Sequence, residues 1–162
     1  MHPDISQLPS RIFYQGQLKD GPDMAEKTKQ PWHSHAMFGT YRFFNVSRGL
    51  EEQTPGHSLK NTTESKVAMS LFARLRQEFS VDFHYKVGVV AMYKAQVTEL
   101  RRTFQQRFGP EIVETVDFNT VDGFQGQEKD IIILSCVRAG PNLQSVGFLT
   151  GTKVCYFRFC VI

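Results

Sequence analysis

The chain has 162 residues, of which 41% are hydrophobic and 22% are charged, a composition typical of a soluble globular domain. Its net charge of +3 permits nucleic-acid binding without indicating it, because a basic patch matters more than the total. No apolar stretch approaches the ~18 residues of a membrane span, and three cysteines without CxxC spacing fit a reducing cytosol or nucleus.

The first forty residues predict one helix followed by irregular chain. Pro3 could occupy the first turn of this helix, whereas Pro9 is expected to kink or divide it. Residues 15–38 predict loops, and residues 41–46 predict a strand. The apolar residues at helical spacing are Ile5, Leu8 and Ile12.

Two longer amphipathic helices are predicted further along the chain. Asn61 and Glu64 have the form of a capping box and indicate a helix over about 62–79. A second helix is ended by Gly109 and Pro110. The apolar residues are Val67, Leu71, Leu75 and Phe79 in the first helix and Val97, Leu100, Phe104 and Phe108 in the second.

Strands alternate with these helices. Residues 86–91 form a short apolar run, residues 112–118 alternate weakly, and residues 131–137 form an apolar run without polar alternation. A run of that last kind is typical of a strand buried on both faces, as in parallel sheets. The sequence therefore predicts an α/β protein with βαβ crossovers and a mostly parallel sheet.

The turn at residues 119–130 is the first candidate site. In open parallel sheets, ligands bind beyond the carboxyl ends of strands, where glycine-rich turns let the backbone approach them. Glu128 could accept hydrogen bonds from a ribose hydroxyl, and Thr120 and Gln125 could contact phosphate or a neighbouring strand. A solvated hairpin explains the residue types equally well. The acidic residues and glycines of the turn are Asp122, Gly123, Gly126, Glu128 and Asp130.

The junction at residues 93–96 is the second candidate site. Backbone N–H groups at a helix N-terminus suit a phosphate, and Tyr93 could stack on a base. The helix behind the junction is net positive, although an ordinary solvated face is the simpler explanation. Its charged residues are Lys94, Glu99, Arg101, Arg102 and Arg107.

The sequence gives little support for a metal site or for a complete ATPase site. His33 and His35 lack spaced cysteine or carboxylate partners, and no second acidic cluster supports a metal ion near Asp122, so we predict no metal site. The 162 residues contain no G-x-x-x-x-G-K-[ST] loop. A phosphate-loop ATPase could not hold its phosphates with this chain alone, and we predict no catalytic residue within it.

Several segments resemble the motifs of superfamily 1B RNA and DNA helicases, most closely those of the senataxin group. Residues 1–6 (MHPDIS) and 13–18 (FYQGQL) resemble the RMHP motif and the FY-x-G-x-L that follows it. Residues 87–96 (VGVVAMYKAQ) resemble the family's IGV-I-[ST]-P-Y-x-x-Q motif, and residues 119–138 closely resemble motif V. The resemblance covers residues 1–150 and implies most of a second RecA-like domain, with a three-layer α/β fold of helices flanking a mostly parallel sheet.

The resemblance also implies roles for individual residues. Glu128 would bind the nucleotide ribose, with Gly126 and Gln127 shaping that edge of an interdomain cleft. ATP and Mg²⁺ would be held jointly with a first RecA-like domain. The residues that would couple nucleotide state to the nucleic-acid groove are Thr120, Asp122 and Gln125, and those that would face the bound strand are Tyr93 and Gln96.

The implied parent is an ATP-dependent nuclear helicase that unwinds nucleic acid, with single-stranded RNA or DNA and RNA–DNA hybrids as partners and no membrane association. Residues 91–92 (AM) replace the family's Ser/Thr-Pro, and residues 151–162 form an atypical tail where the family has an arginine-rich motif VI. We therefore expect the chain alone to be inactive. The alternatives are a non-catalytic nucleic-acid-binding module and an inactive gene fragment.

Overall fold

The computed structural model describes residues 1–80, 82–84 and 86–139. The described chain separates into two compact units, Met1–Arg42 and a second unit that begins at Phe43. The atypical tail predicted at residues 151–162 lies outside the described residues. Within the described part of the chain, no helix has the length and apolar character needed to cross a membrane.

The first unit contains the predicted N-terminal helix. Helix α1, Pro3–Phe13, has Pro3 in its first turn as expected and His2 as its N-cap, whose ring nitrogen accepts from the Asp4 N–H at 3.2 Å. Of the kink or division expected at Pro9, the division is wrong, since the helix continues through this residue. Proline removes one backbone donor, and the bonds on either side keep the helix continuous.

The rest of the first unit is largely irregular, as predicted for residues 15–38. It includes one short helix, α2 (Met24–Lys27), and a 3-10 turn at Pro31–Ser34. The strand predicted at 41–46 is wrong, because these residues have no regular structure. The boundary between the two units falls inside this segment. Phe43 is 52% exposed, so its side chain is not buried as it would be in an interior strand.

The second unit opens with a small hairpin of β1 (Glu52–Gln53) and β2 (Leu59–Lys60), which pair antiparallel. Helix α3, Thr62–Glu78, follows, and the Asn61 side chain caps it by accepting from the Glu64 N–H at 3.1 Å. The predicted helix and its cap are thereby confirmed. The reciprocal arm of the capping box is absent, because the Asn61 N–H instead donates to Gln96.

Among the described residues, three parallel strands form the central sheet in the order β4-β3-β5. Their bounds are Val87–Ala91 for β3, Val116–Thr120 for β4 and Ile131–Ser135 for β5. Helix α4, Lys94–Phe108, follows β3 and ends at Gly109, whose φ of 93° suits glycine. This alternation confirms the predicted α/β class and parallel sheet.

The strand predicted at 112–118 starts four residues too early. Residues Ile112–Thr115 form a short helix, α5, and the strand begins at Val116. Ile112 and Val116 are the buried positions, at 4% and 1% exposure, and a spacing of four residues suits a helical turn. The alternation typical of a strand applies only from Val116 to Phe118.

An aromatic cluster joins helices α3 and α4 to one face of the sheet. Phe104 is fully buried, with ring centroids 5.6 Å from Phe72, 5.9 Å from Phe108 and 5.1 Å from Phe118. Burying aromatic rings removes large apolar areas from water, so this cluster is a main source of stability for the second unit.

Candidate functional site

The carboxyl ends of the three parallel strands lie at one level. Ala91 of β3 is in register with Thr120 of β4 and with Ser135 of β5. The chain leaves this edge through Tyr93, the N-cap of α4, and through the turn at residues 121–130. The structure therefore brings Tyr93 and the beginning of the turn to the carboxyl edge, where parallel α/β sheets bind ligands.

The beginning of the turn is fixed by its own side chains. The Asn119 amide donates to the Gly123 carbonyl at 2.9 Å, and the Thr120 hydroxyl accepts from the Gly123 N–H at 3.2 Å. Asp122 and Gln125 are exposed. Thr120 is thus held in place at the edge, and the carboxylate and amide beside it face solvent.

The end of the turn returns along β4. Gly126 has a φ of 82°, a conformation that glycine adopts without strain, and Glu128 is exposed. Lys129 forms an ion pair with Asp117, near the start of β4. Gln127 lines a cavity of about 310 Å³ together with Arg101, Val113, Asp117, Phe118 and Asn119.

The two groups of candidate residues therefore occupy different levels of the sheet. Thr120 and Tyr93 lie at the carboxyl edge, whereas Gln127 lies beside the earlier residues of β4, as does Lys129, which was not a candidate. The turn links the two levels, and Glu128 is on its returning half.

A close contact anchors the turn to the sheet, and the sequence reasoning missed it. A Cβ atom at Gly88, in the central strand β3, would lie 2.7 Å from Cζ of Phe124. The Phe124 ring therefore covers Gly88. An isolated glycine within a strand was the available signal, since it often marks such an approach.

Gly88→Ala is expected to displace the Phe124 ring and loosen the turn. Overpacking of this kind costs roughly 1–3 kcal/mol, and we expect about 1 kcal/mol because the ring can swing outward. Hydrogen exchange should accelerate at the Gln127 N–H, which bonds to the Phe124 carbonyl at 3.0 Å. Urea unfolding and amide exchange would measure the two effects. Gly56→Ala is the matched control, since no atom lies within 4 Å of its Cβ position; equal exchange in both variants would contradict the anchor.

Gln96 is not placed to face a bound strand. The side chain is fully buried, and its Oε1 accepts from the Asn61 N–H at 2.7 Å. Its Nε2 donates to the Asn61 carbonyl at 3.1 Å and to the hydroxyls of Ser65 at 3.1 Å and Ser135 at 2.9 Å. Gln96 thus joins α3, α4 and β5 and presents no surface to a ligand.

Tyr93 remains at the surface, partly exposed at the start of α4. The Ala95 N–H in the first turn donates to the Ser58 hydroxyl at 3.2 Å. Ser58, beside β2, therefore uses one of the N–H groups that the sequence offered to a phosphate. The motif pattern gave no signal for this contact, because Ser58 precedes Tyr93 by more than thirty residues.

Two of the positive side chains predicted along α4 form bonds to groups within the second unit. Arg101 donates to the Phe118 carbonyl at 2.8 Å, and Arg102 pairs with Glu99, which is 6% exposed. The hydrogen bond from Arg102 is the largest cause that lowers the pKa of Glu99, and Lys60 at 3.7 Å adds to it. Among the described residues, no group of three or more His, Cys, Asp or Glu side chains is arranged to hold a metal ion.

Parallel strands linked through helices and a polar turn define an α/β domain of RecA-like fold. The chain matches the family described as the AAA domain over residues 1–155 and belongs to it, with strong homology to the Sen1- and senataxin-type helicases of superfamily 1B. The resemblance found in the sequence motifs is thereby confirmed.

Three relatives illustrate this homology. The chain is 46% identical over 152 residues to Helicase SEN1 of Saccharomyces cerevisiae, and the matched segment covers 92% of this chain and 7% of the relative. It is 45% identical over 150 residues to Helicase sen1 of Schizosaccharomyces pombe, with coverage of 92% and 9%. It is 34% identical over 153 residues to Probable helicase senataxin of Mus musculus, with coverage of 94% and 6%. The chain thus spans less than a tenth of the length of these relatives.

Proposed function

We propose that residues 1–150 form most of the second RecA-like domain of an ATP-dependent helicase, which couples ATP hydrolysis to the unwinding of nucleic acid. The main support is the turn at residues 119–130, which has the family's motif and is pre-formed by its own hydrogen bonds and by the Phe124 contact. A pre-formed turn loses little conformational freedom when a ligand binds.

The nucleotide-binding part of this proposal rests on Glu128. Its exposed carboxylate is a suitable acceptor for the hydroxyls of an ATP ribose, and Gly126 and Gln127 border it. Magnesium would be held by the nucleotide phosphates and by a first RecA-like domain, because the described residues offer no group of three ligands. That first domain would also supply the phosphate loop that these 162 residues lack.

The nucleic-acid part rests on Tyr93, whose ring is partly exposed at the carboxyl edge and could stack on a base. Thr120 lies at the carboxyl edge, and Asp122 and Gln125 lie on the turn that leads from this edge to Glu128, so these residues are suited to couple nucleotide state to the strand. Single-stranded RNA or DNA and RNA–DNA hybrids are the proposed partners, and the nucleus is the proposed location. The family relationship alone supports the hybrid and the location.

Glu128→Ala is expected to raise the KM for ATP about tenfold in the chain joined to its first RecA-like domain, because a charge-assisted hydrogen bond contributes roughly 1.5–3 kcal/mol. The isolated chain should hydrolyse no ATP. Steady-state hydrolysis measurements on both forms test these expectations. Glu114→Ala, an exposed glutamate of α5, is the control.

Two results would count against the proposal. If the purified isolated chain hydrolyses ATP and Glu128→Ala abolishes this activity, the chain does not need the first RecA-like domain. Salt-dependent binding of single strands that ATP leaves unchanged in the joined protein would favour a non-catalytic module.

A further inference from the structure

The chain leaves β5 through an unusual turn. Val137 has a φ of 71°, a left-handed conformation that is rare for a β-branched residue, and its side chain is fully buried. The Arg138 N–H donates to the Cys136 carbonyl at 2.8 Å, which closes a tight turn of three residues around Val137. Such backbone strain persists only where the surroundings fix it, and it is often found at functional sites.

Two side chains at the start of α3 form hydrogen bonds to the backbone N–H and carbonyl of Val137. Oε2 of Glu64 accepts from the Val137 N–H at 2.9 Å and from the Ser135 hydroxyl at 2.6 Å. The Asn61 amide donates to the Val137 carbonyl at 3.2 Å and to Oε1 of Glu64 at 3.2 Å. We call Asn61, Glu64, Ser135 and Val137 the Val137 clamp.

Hydrogen bonds connect the Val137 clamp to the start of α4, which carries Tyr93. Gln96 bonds to Asn61 and Ser135 and lies in the first turn of α4, three residues after Tyr93. The end of β5 and the start of α4 are therefore connected by buried hydrogen bonds. Movement of either one would break these buried hydrogen bonds, which is costly because unpaired polar groups are strongly disfavoured in a protein interior.

On the other side of the turn, Glu51 holds the residues that follow. Its carboxylate lies 2.8 Å from Nε of Arg138 and accepts from the Ala139 N–H at 3.2 Å. The direction in which the chain leaves the carboxyl edge thus depends on the conformation of Val137.

We propose that Glu64 is a positioning residue for nucleic-acid binding: it holds the strained turn at Val137 and, through Asn61 and Gln96, fixes the start of α4 where Tyr93 meets the strand. This inference rests on the proposed function. Glu64 itself acts from within the unit and need not touch the strand.

The test uses the chain of 162 residues and a fluorescently labelled twelve-nucleotide oligouridine. Glu64→Ala should weaken binding at least fivefold, whereas Glu64→Gln, which keeps an oxygen towards Ser135 and Val137, should remain within twofold of the original protein. Glu78→Ala, at the far end of α3 and paired with Arg74, should also remain within twofold.

NMR couplings that report the sign of φ at residue 137 provide the second measurement. The positive φ should be lost in Glu64→Ala and retained in Glu64→Gln, so that the change in φ and the change in oligonucleotide binding occur in the same variant. If Glu64→Ala does not fold, Glu64→Asp keeps the carboxylate but shortens the side chain by one methylene, and it should give the same loss.

An unchanged φ at residue 137, or unchanged binding in a folded Glu64→Ala variant, would overturn the inference, as would failure of both Glu64→Ala and Glu64→Asp to fold. If the original chain does not bind the oligonucleotide, the nucleic-acid role proposed for the isolated chain fails. The φ at residue 137 then decides separately whether Glu64 holds the turn.

Discussion

Gln96→Ala should lower the free energy of unfolding by about 3 kcal/mol. The substitution removes four buried hydrogen bonds and leaves polar groups of Asn61, Ser65 and Ser135 without this partner. Each buried polar group left unsatisfied costs roughly 1–3 kcal/mol, and partial relaxation reduces the sum. Urea unfolding followed by circular dichroism would measure the change.

Gln106→Ala is the matched control, because Gln106 lies on the same helix but is exposed. It should change the unfolding free energy by less than about 0.5 kcal/mol. A loss below about 1 kcal/mol for Gln96→Ala would mean that the side chain is not part of a buried network. A contact with the bound strand would then become the better explanation.

Phe104→Ala should have the largest effect on stability, a loss of about 4 kcal/mol. Its ring is fully buried against Phe72, Phe108 and Phe118, and truncating a buried phenylalanine typically costs roughly 3–5 kcal/mol. Against a total stability of roughly 5–15 kcal/mol, this loss would remove between about a quarter and about four fifths of the free energy of unfolding.

Thermal and urea unfolding of Phe104→Ala would test this expectation, with Leu50→Ala as the control. Leu50 is 60% exposed, so its truncation should shift the unfolding free energy by less than about 0.5 kcal/mol. Similar losses in the two variants would show that the aromatic cluster does not dominate the core.

The longest elements were predictable because their signals are local. Asn61 marks the start of α3, Gly109 marks the end of α4, and the apolar runs at β3 and β5 have little polar interruption. Patterns of this kind arise from backbone and side-chain geometry within a few residues. They do not depend on how distant parts of the chain meet.

The two errors in strand prediction have different causes. Residues 41–46 have strand-forming side chains, yet a strand also needs a neighbouring strand, and the boundary between the units falls there. The turn of α5 was read as strand because Ile112 and Val116, four residues apart, fit either pattern over so short a segment.

The candidate site was predictable as a set of residues but not as a geometry. The motif letters identified Gln96 without saying which way its side chain faces, and the buried partners Asn61 and Ser135 lie more than thirty residues away in sequence. The contact between Gly88 and Phe124 was missed for the same reason. The roles of Glu128 and Tyr93 remain predictions that binding measurements must test.

The bond from Arg101 to the Phe118 carbonyl has a consequence for self-association. Within the described residues, β4 is an outer strand of its sheet, and such strands can recruit a strand from another molecule through their open carbonyl and N–H groups. Arg101 occupies one of those carbonyls, and the ion pair of Lys129 with Asp117 adds charge beside it. These side chains discourage edge-to-edge aggregation of the domain.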